Sequence, residues 1–167
     1  MSLSMYQASV PVFIRALNNL AAILDKAAAH CAAQRIDPAA LLSFRLYPDM
    51  FPFTKQVQLA CDHAKNGAAR LAGLEAPELG GGEQSVAELS ERIRKTIAYL
   101  ETFKPEQIDG SETREVVIKR GETVNTYPGQ DYLLQRVLPN LFFHVTTAYA
   151  ILRHNGVALG KKDFLGR

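Results

Sequence analysis

A chain of 167 residues, 47% of them hydrophobic and 22% charged, has apolar content for one core and too little length for two, so one domain over residues 1–167 is expected. Its 19 Lys plus Arg against 17 Asp plus Glu leave +2, and no block of like charges is long enough for a nucleic-acid footprint. Cys31 and Cys61 are too few and too far apart for a disulfide framework or a zinc knuckle. No window approaches 18 uninterrupted apolar residues, and Met1-Ser2-Leu3-Ser4 has no charged and apolar leader pattern, so a cytoplasmic protein away from membranes is expected.

From Met5 to Gln34, apolar residues at Val10, Phe13, Leu17, Leu20, Leu24, Ala28 and Cys31 recur every three or four positions, which lines one face of a long helix. Pro11 must sit in its first turn or kink it, since proline has no N–H and crowds the preceding turn. Asp37-Pro38 supplies an N-cap and a first-turn proline for a short helix ending near Phe44. A second long helix is predicted from Met50 to Leu74. Its stripe carries Ala60, Ala64, Gly67 and Ala68, small residues that let a neighbouring helix come close or leave room for a pocket.

Gly80-Gly81-Gly82 reads as a connector, and Ser85-Val86-Ala87-Glu88 as a capping box opening a third helix that runs to Lys104-Pro105. Between Ser111 and Tyr127 the period shortens to two, predicting a β-hairpin with its turn at Lys119-Arg120-Gly121-Glu122. The last helix is predicted over Gln130 to Asn155, with Leu133, Val137, Leu141, His144, Ala148 and Ile151 on one side, a kink at Pro139 and a left-handed cap at Gly156. The tail beyond it carries Val157, Leu159, Phe164 and Leu165, enough apolar surface to dock rather than fray. Four long helices with one crossover holding a hairpin describe an all-α bundle.

Met50-Phe51-Pro52-Phe53 leading into Gln56-Val57-Gln58, Arg70-Leu71-Ala72-Gly73, the run Leu138 to His144, Ala148 to Arg153 and Gly160 to Gly166 resemble an uncharacterised bacterial domain family of the DinB-like (YfiT-like) superfamily. The resemblance implies an up-down-down-up four-helix bundle with a small β-hairpin inserted before the last helix. Many superfamily members hold a divalent metal through three histidines, and some are thiol-dependent transferases or hydrolases. Carried over to this chain, the ligand positions fall on Asp62, Asn140 and His144, with Cys61 or His63 in place of Asp62 under a one-residue shift. Two ligands at i and i+4 stack on one helix face.

An Asp62, Asn140, His144 set lacks the imidazole or thiolate richness that grips transition metals, so no cofactor is expected, a weakly held divalent ion being the alternative. The bland readings of the same residues are a buried, hydrogen-bonded His144, an Asn140 serving backbone groups at the Pro139 kink, and a surface pair of Gln58 and Asp62. His30 and His63 are expected to face solvent. Three functions follow. The first is an uncharacterised bundle that binds an unidentified small molecule in an inter-helix pocket lined by Gln58, Cys61, Asp62, Asn140, His144 and Tyr149. The second is a metal- or thiol-dependent transferase or hydrolase using those positions, and the third a non-catalytic homodimeric assembly protein.

Overall fold

The structure is a computed structural model that describes residues 3–166. Helix α1, Met5–Gln34, begins where the Ser4 hydroxyl accepts from the Gln7 N–H at 3.2 Å, and stops at Arg35, which turns left-handed at φ 55°. Pro11 falls in its second turn on the exposed side, so the carbonyl that loses its donor faces water and the helix runs on unbroken. The Asp37 carboxylate caps α2, Pro38–Ser43.

Helix α3 is Phe53–Leu71, three residues shorter at each end than the periodicity predicts, because Pro52 occupies the N-cap and Gly73 turns left-handed just past its end. Helix α4, Val86–Leu100, is capped by Ser85, whose hydroxyl accepts from the Glu88 N–H at 3.1 Å. The Glu88 carboxylate reaches past the cap and accepts from the Gln84 N–H at 2.6 Å. A single helical turn, α5 (Pro105–Ile108), precedes the antiparallel hairpin of β1, Glu115–Arg120, and β2, Thr123–Pro128. Val116 is buried beneath the hairpin and Val117 is exposed, as period-two alternation requires.

The last long helix is continuous from residue 129 to 154 but not uniform: α6, Gly129–Tyr132, passes through a π-helical turn, Leu133–Val137, into α7, Leu138–His154. The Leu138 N–H donates to the Leu133 carbonyl, five residues back. The predicted kink at Pro139 gives way to this π-helical turn, whose wider spacing sets the proline ring away from the carbonyls it would meet in a regular helix. After Gly156, at φ 90°, Val157 and Leu159 are buried and a short α8, Lys161–Leu165, lies on α1. Arg15 donates to the Leu165 carbonyl at 2.9 Å, Asn19 to the Phe164 carbonyl at 2.9 Å, and Lys26 pairs with Asp163 at 2.6 Å.

Cross-bundle partners give the helix directions. Gln56 meets His144 and Arg70 meets Tyr132, so α3 and α7 are antiparallel. Gly67 and Phe13 pack together beside Val137, and Gly156 lies beside His30, so α7 runs with α1. The Tyr6 N–H donates to Asp109 at 2.8 Å, which puts the end of α4 near the start of α1. The order is up, down, down, up. Parallel α3 and α4 need a long return, and residues 72–85 provide it as a strap laid back along α3: the Pro77 carbonyl reaches Lys65, and Gly81 and Glu83 reach Gln58. The core is built from Phe13, Leu17 and Leu20 of α1, Phe53 and Val57 of α3, Leu89 and Ile93 of α4, and Leu141 and Ile151 of α7. The small stripe of α3 is used for close approach: a methyl placed on Gly67 would come within 2.6 Å of Val137.

Candidate functional site

Two polar faces of α3 carry the charged and imidazole groups. Residues seven apart lie on one helix face, and Gln56, His63 and Arg70 form such a series towards α7. The Gln56 side-chain N–H donates to the Phe51 carbonyl at 3.0 Å, which turns its oxygen to His144 Nδ1 at 2.7 Å. That oxygen can only accept, so His144 carries its proton on Nδ1 and leaves the Nε2 lone pair available. Nε2 finds no hydrogen-bond partner among the described residues and is not one of their sealed orphan atoms.

The rings of His63 and His144 stack with centroids 5.3 Å apart and planes inclined by 13°. Phe143, exposed beside them, meets His144 edge-on at 5.3 Å. Burial, then the neighbouring His63, pulls the His144 pKa down to about 4. Burial also lowers that of His63, with Asp62 opposing the shift and Arg136 and Arg70 adding to it. Both imidazoles are therefore neutral at pH 7.

The second face of α3 presents Gln58, Asp62 and Lys65, four and three residues apart, to α4 and the strap. Asp62 accepts from Arg92 at 2.7 Å and lies 3.7 Å from Lys65. Arg92 also donates to Glu83 at 2.7 Å, while Gln58 donates to the other Glu83 oxygen at 2.8 Å. Burial alone would raise the Glu83 carboxyl, but the hydrogen bonds from Arg92, its own backbone and Gln58 outweigh it and hold the pKa below the usual range. Cys61, fully buried between the two faces, has its thiol pushed up to about 12 by burial and is unreactive at neutral pH.

The residues singled out in the sequence thus divide. His144 is buried and hydrogen-bonded, with His63 as its stacking neighbour, and His63 is half-buried rather than solvent-facing. Asp62, one residue earlier and about 100° round the helix, is engaged by Arg92 and Lys65 instead. Gln58 is buried under the strap and not on a free surface. Asn140 donates to the Arg136 carbonyl at 2.6 Å, serving the turn before Pro139. Tyr149 meets Phe164 edge-on at 6.4 Å, against the docked tail. Gln56 was missed in the sequence because an amide at a core-facing position carries no signal of its partner 88 residues away.

The superfamily's divalent ion can be tested on this donor set. No group of three His, Cys, Asp or Glu side chains within ligating reach of one ion occurs among the described residues. An imidazole holds an ion along a lone pair in its ring plane, and two stacked planes 13° apart do not converge on a common point. His144 Nδ1 is already committed to Gln56. The arrangement does not fit a tightly held divalent ion.

An up-down-down-up bundle with a hairpin before its last long helix, and imidazoles between its second and fourth long helices, is of the DinB-like class. The chain belongs to the family of the domain of unknown function DUF1993, whose model matches residues 5–165. It is similar to the crystal structure of a DinB family member protein from Shewanella denitrificans, with 42% identity over 97% of this chain and 92% of that one and a TM-score of 0.92. No curated protein matches the chain. No helix among the described residues is long and apolar enough to cross a membrane.

Proposed function

We propose that this protein binds a small molecule at the His63 and His144 pair, through a hydrogen-bond donor on the ligand that meets His144 Nε2 and an apolar body that rests on Phe143. The observation that carries the reading is the Gln56 contact at 2.7 Å, which fixes the tautomer and holds an unprotonated nitrogen ready in a neutral, half-desolvated setting. Of the residues the family resemblance implies for a pocket, His144 is the one this site uses. A cytoplasmic, bacterial setting suits it, since Cys31 and Cys61 are both buried as free thiols.

A second reading, a thiol-dependent transferase or hydrolase, rests on the same nitrogen, which can accept a hydrogen bond from a thiol or a water and so orient it. A homodimer is supported by the exposed side chains of Phe44, Tyr47 and Phe51 near this site. Side-chain nitrogen NMR on the full chain, with cysteine and catechol as donor-bearing probes and zinc as the metal, tests the proposal. Perturbation of His144 Nε2 by a donor probe, without stoichiometric metal in protein purified without added metal, is expected. A stoichiometric transition metal on these imidazoles would replace the binding reading with the metal-dependent one.

A further inference from the structure

The strap of residues 72–85 has no fully buried side chain: Ala72 and Ala76 rest partly buried against the core, and from Pro77 to Gln84 no hydrophobic side chain packs on it. Its fixings are polar and come from side chains that are themselves buried beneath it: Lys65, Arg92 and Gln58, each at most 5% exposed. Lys65 donates to the Pro77 carbonyl at 2.6 Å, Arg92 to the Gly80 carbonyl at 3.0 Å, and Gln58 to the Gly81 carbonyl at 3.2 Å. The Glu83 carboxylate completes the set, one oxygen on Arg92 at 2.7 Å and the other on Gln58 at 2.8 Å.

Such a seat resembles a receptor for an extended, acidic ligand that its own chain fills. Clefts of about 510 Å³ and 470 Å³ flank residues 79 and 80, one towards α4 and the other towards Asp62 and Lys65. Lifting the strap would join them over groups that water solvates readily, which makes this opening cheap beside any that exposes core. The charges also change. With the strap down, Lys65 and Arg92 are balanced by Asp62 and Glu83; with Glu83 withdrawn, one positive charge is left uncompensated. Arg92 Nε, buried and without a partner even in the closed state, shows that Glu83 leaves part of the guanidinium unmet.

We propose that the seat formed by Arg92, Gln58 and Lys65 is a binding site for a carboxylate-bearing, peptide-like molecule, and that the Gly80-Gly81-Gly82 strap is a displaceable cover whose Glu83 stands in for that carboxylate. This site is separate from the histidine pair, and its failure would leave that reading untouched. Tethering makes Glu83 a strong competitor, because an attached group acts at an effective concentration in the millimolar range or above. A free carboxylate therefore registers only when Glu83 is weakened.

The test uses the full chain with Glu83→Gly and sodium acetate as the probe, against sodium chloride at equal ionic strength. The variant should melt several degrees lower, and acetate should restore the loss saturably, at least ten-fold more effectively than chloride. The restoration should disappear when Gln58→Leu is added. Should Glu83→Gly not fold, Glu83→Gln serves, and its amides over residues 80–85 should exchange at least ten-fold faster than in the parent. Equal effects of acetate and chloride, rescue that survives Gln58→Leu, or strap amides that open only with the whole bundle would each overturn the proposal.

Discussion

His144 rests on His63 in a near-parallel stack while its Nδ1 hydrogen goes to Gln56, so a residue on the last long helix is held by two residues seven apart on α3. The contact ties halves of the chain that are far apart in sequence. Removing the ring leaves the Gln56 oxygen without its donor in a buried place. His144→Ala should therefore lower stability by about 1–3 kcal/mol, seen as a lower denaturant midpoint at unchanged slope. An unchanged midpoint would show that the ring contributes nothing to the fold.

Protonation should loosen the same contact. The folded-state pKa of His144, about 4, lies below its ordinary 6.5, so between those values the unfolded chain binds the proton more readily than the folded one. Stability is then full above pH 6.5 and falls as the pH drops towards 4. Denaturant midpoints measured from pH 7 to 4.5 should decline more steeply for the parent than for His144→Gln. Parallel declines would assign the acid sensitivity to other groups.

The sequence exposed the helices well because their signals are local: a periodic stripe from Val10 to Cys31, a serine cap at Ser85, a glycine cap at Gly156. The site was less legible. Whether Asp62 or His63 stands beside His144 depends on a rotation of about 100°, smaller than a pattern of apolar residues can resolve on a stripe as broad as that of α3. The placement of Gln58 was hidden for another reason, since what buries it is a glycine-rich strap, read in sequence as a plain connector.

Gly67→Ala should be destabilising although alanine is the better helix former. Its added methyl would sit 2.6 Å from Val137, a stiff, short side chain with little room to yield. Overpacking of this kind costs about 1–3 kcal/mol, more than the ~1 kcal/mol gained in helix propensity. Combining it with Val137→Ala should recover part of the loss in thermal melts; strictly additive losses would mean that the two residues do not collide.

Deleting residues 160–167 should lower the melting temperature by about 5 °C. The deletion removes the Phe164 contact with Tyr149, the solvent-screened Lys26 pair and two hydrogen bonds to tail carbonyls, and the apolar contact and hydrogen bonds outweigh the cost of ordering so short a tail. A truncated chain that melts with the parent would show that α8 rests on α1 without holding it.

The π-turn at Leu133–Val137 has a consequence for how far one helix can follow another. Tyr132 and His144 both reach α3, yet twelve residues of regular helix would leave them about 120° apart around the axis. The π-turn absorbs one residue, and eleven steps bring the two back to within about 20°. It acts as a phase correction, letting a single helix keep two appointments on the same neighbour. Winding all twelve residues into regular helix would swing either the tyrosine or the histidine away from its partner, whereas deleting one residue from the turn would leave a regular helix with both still facing α3.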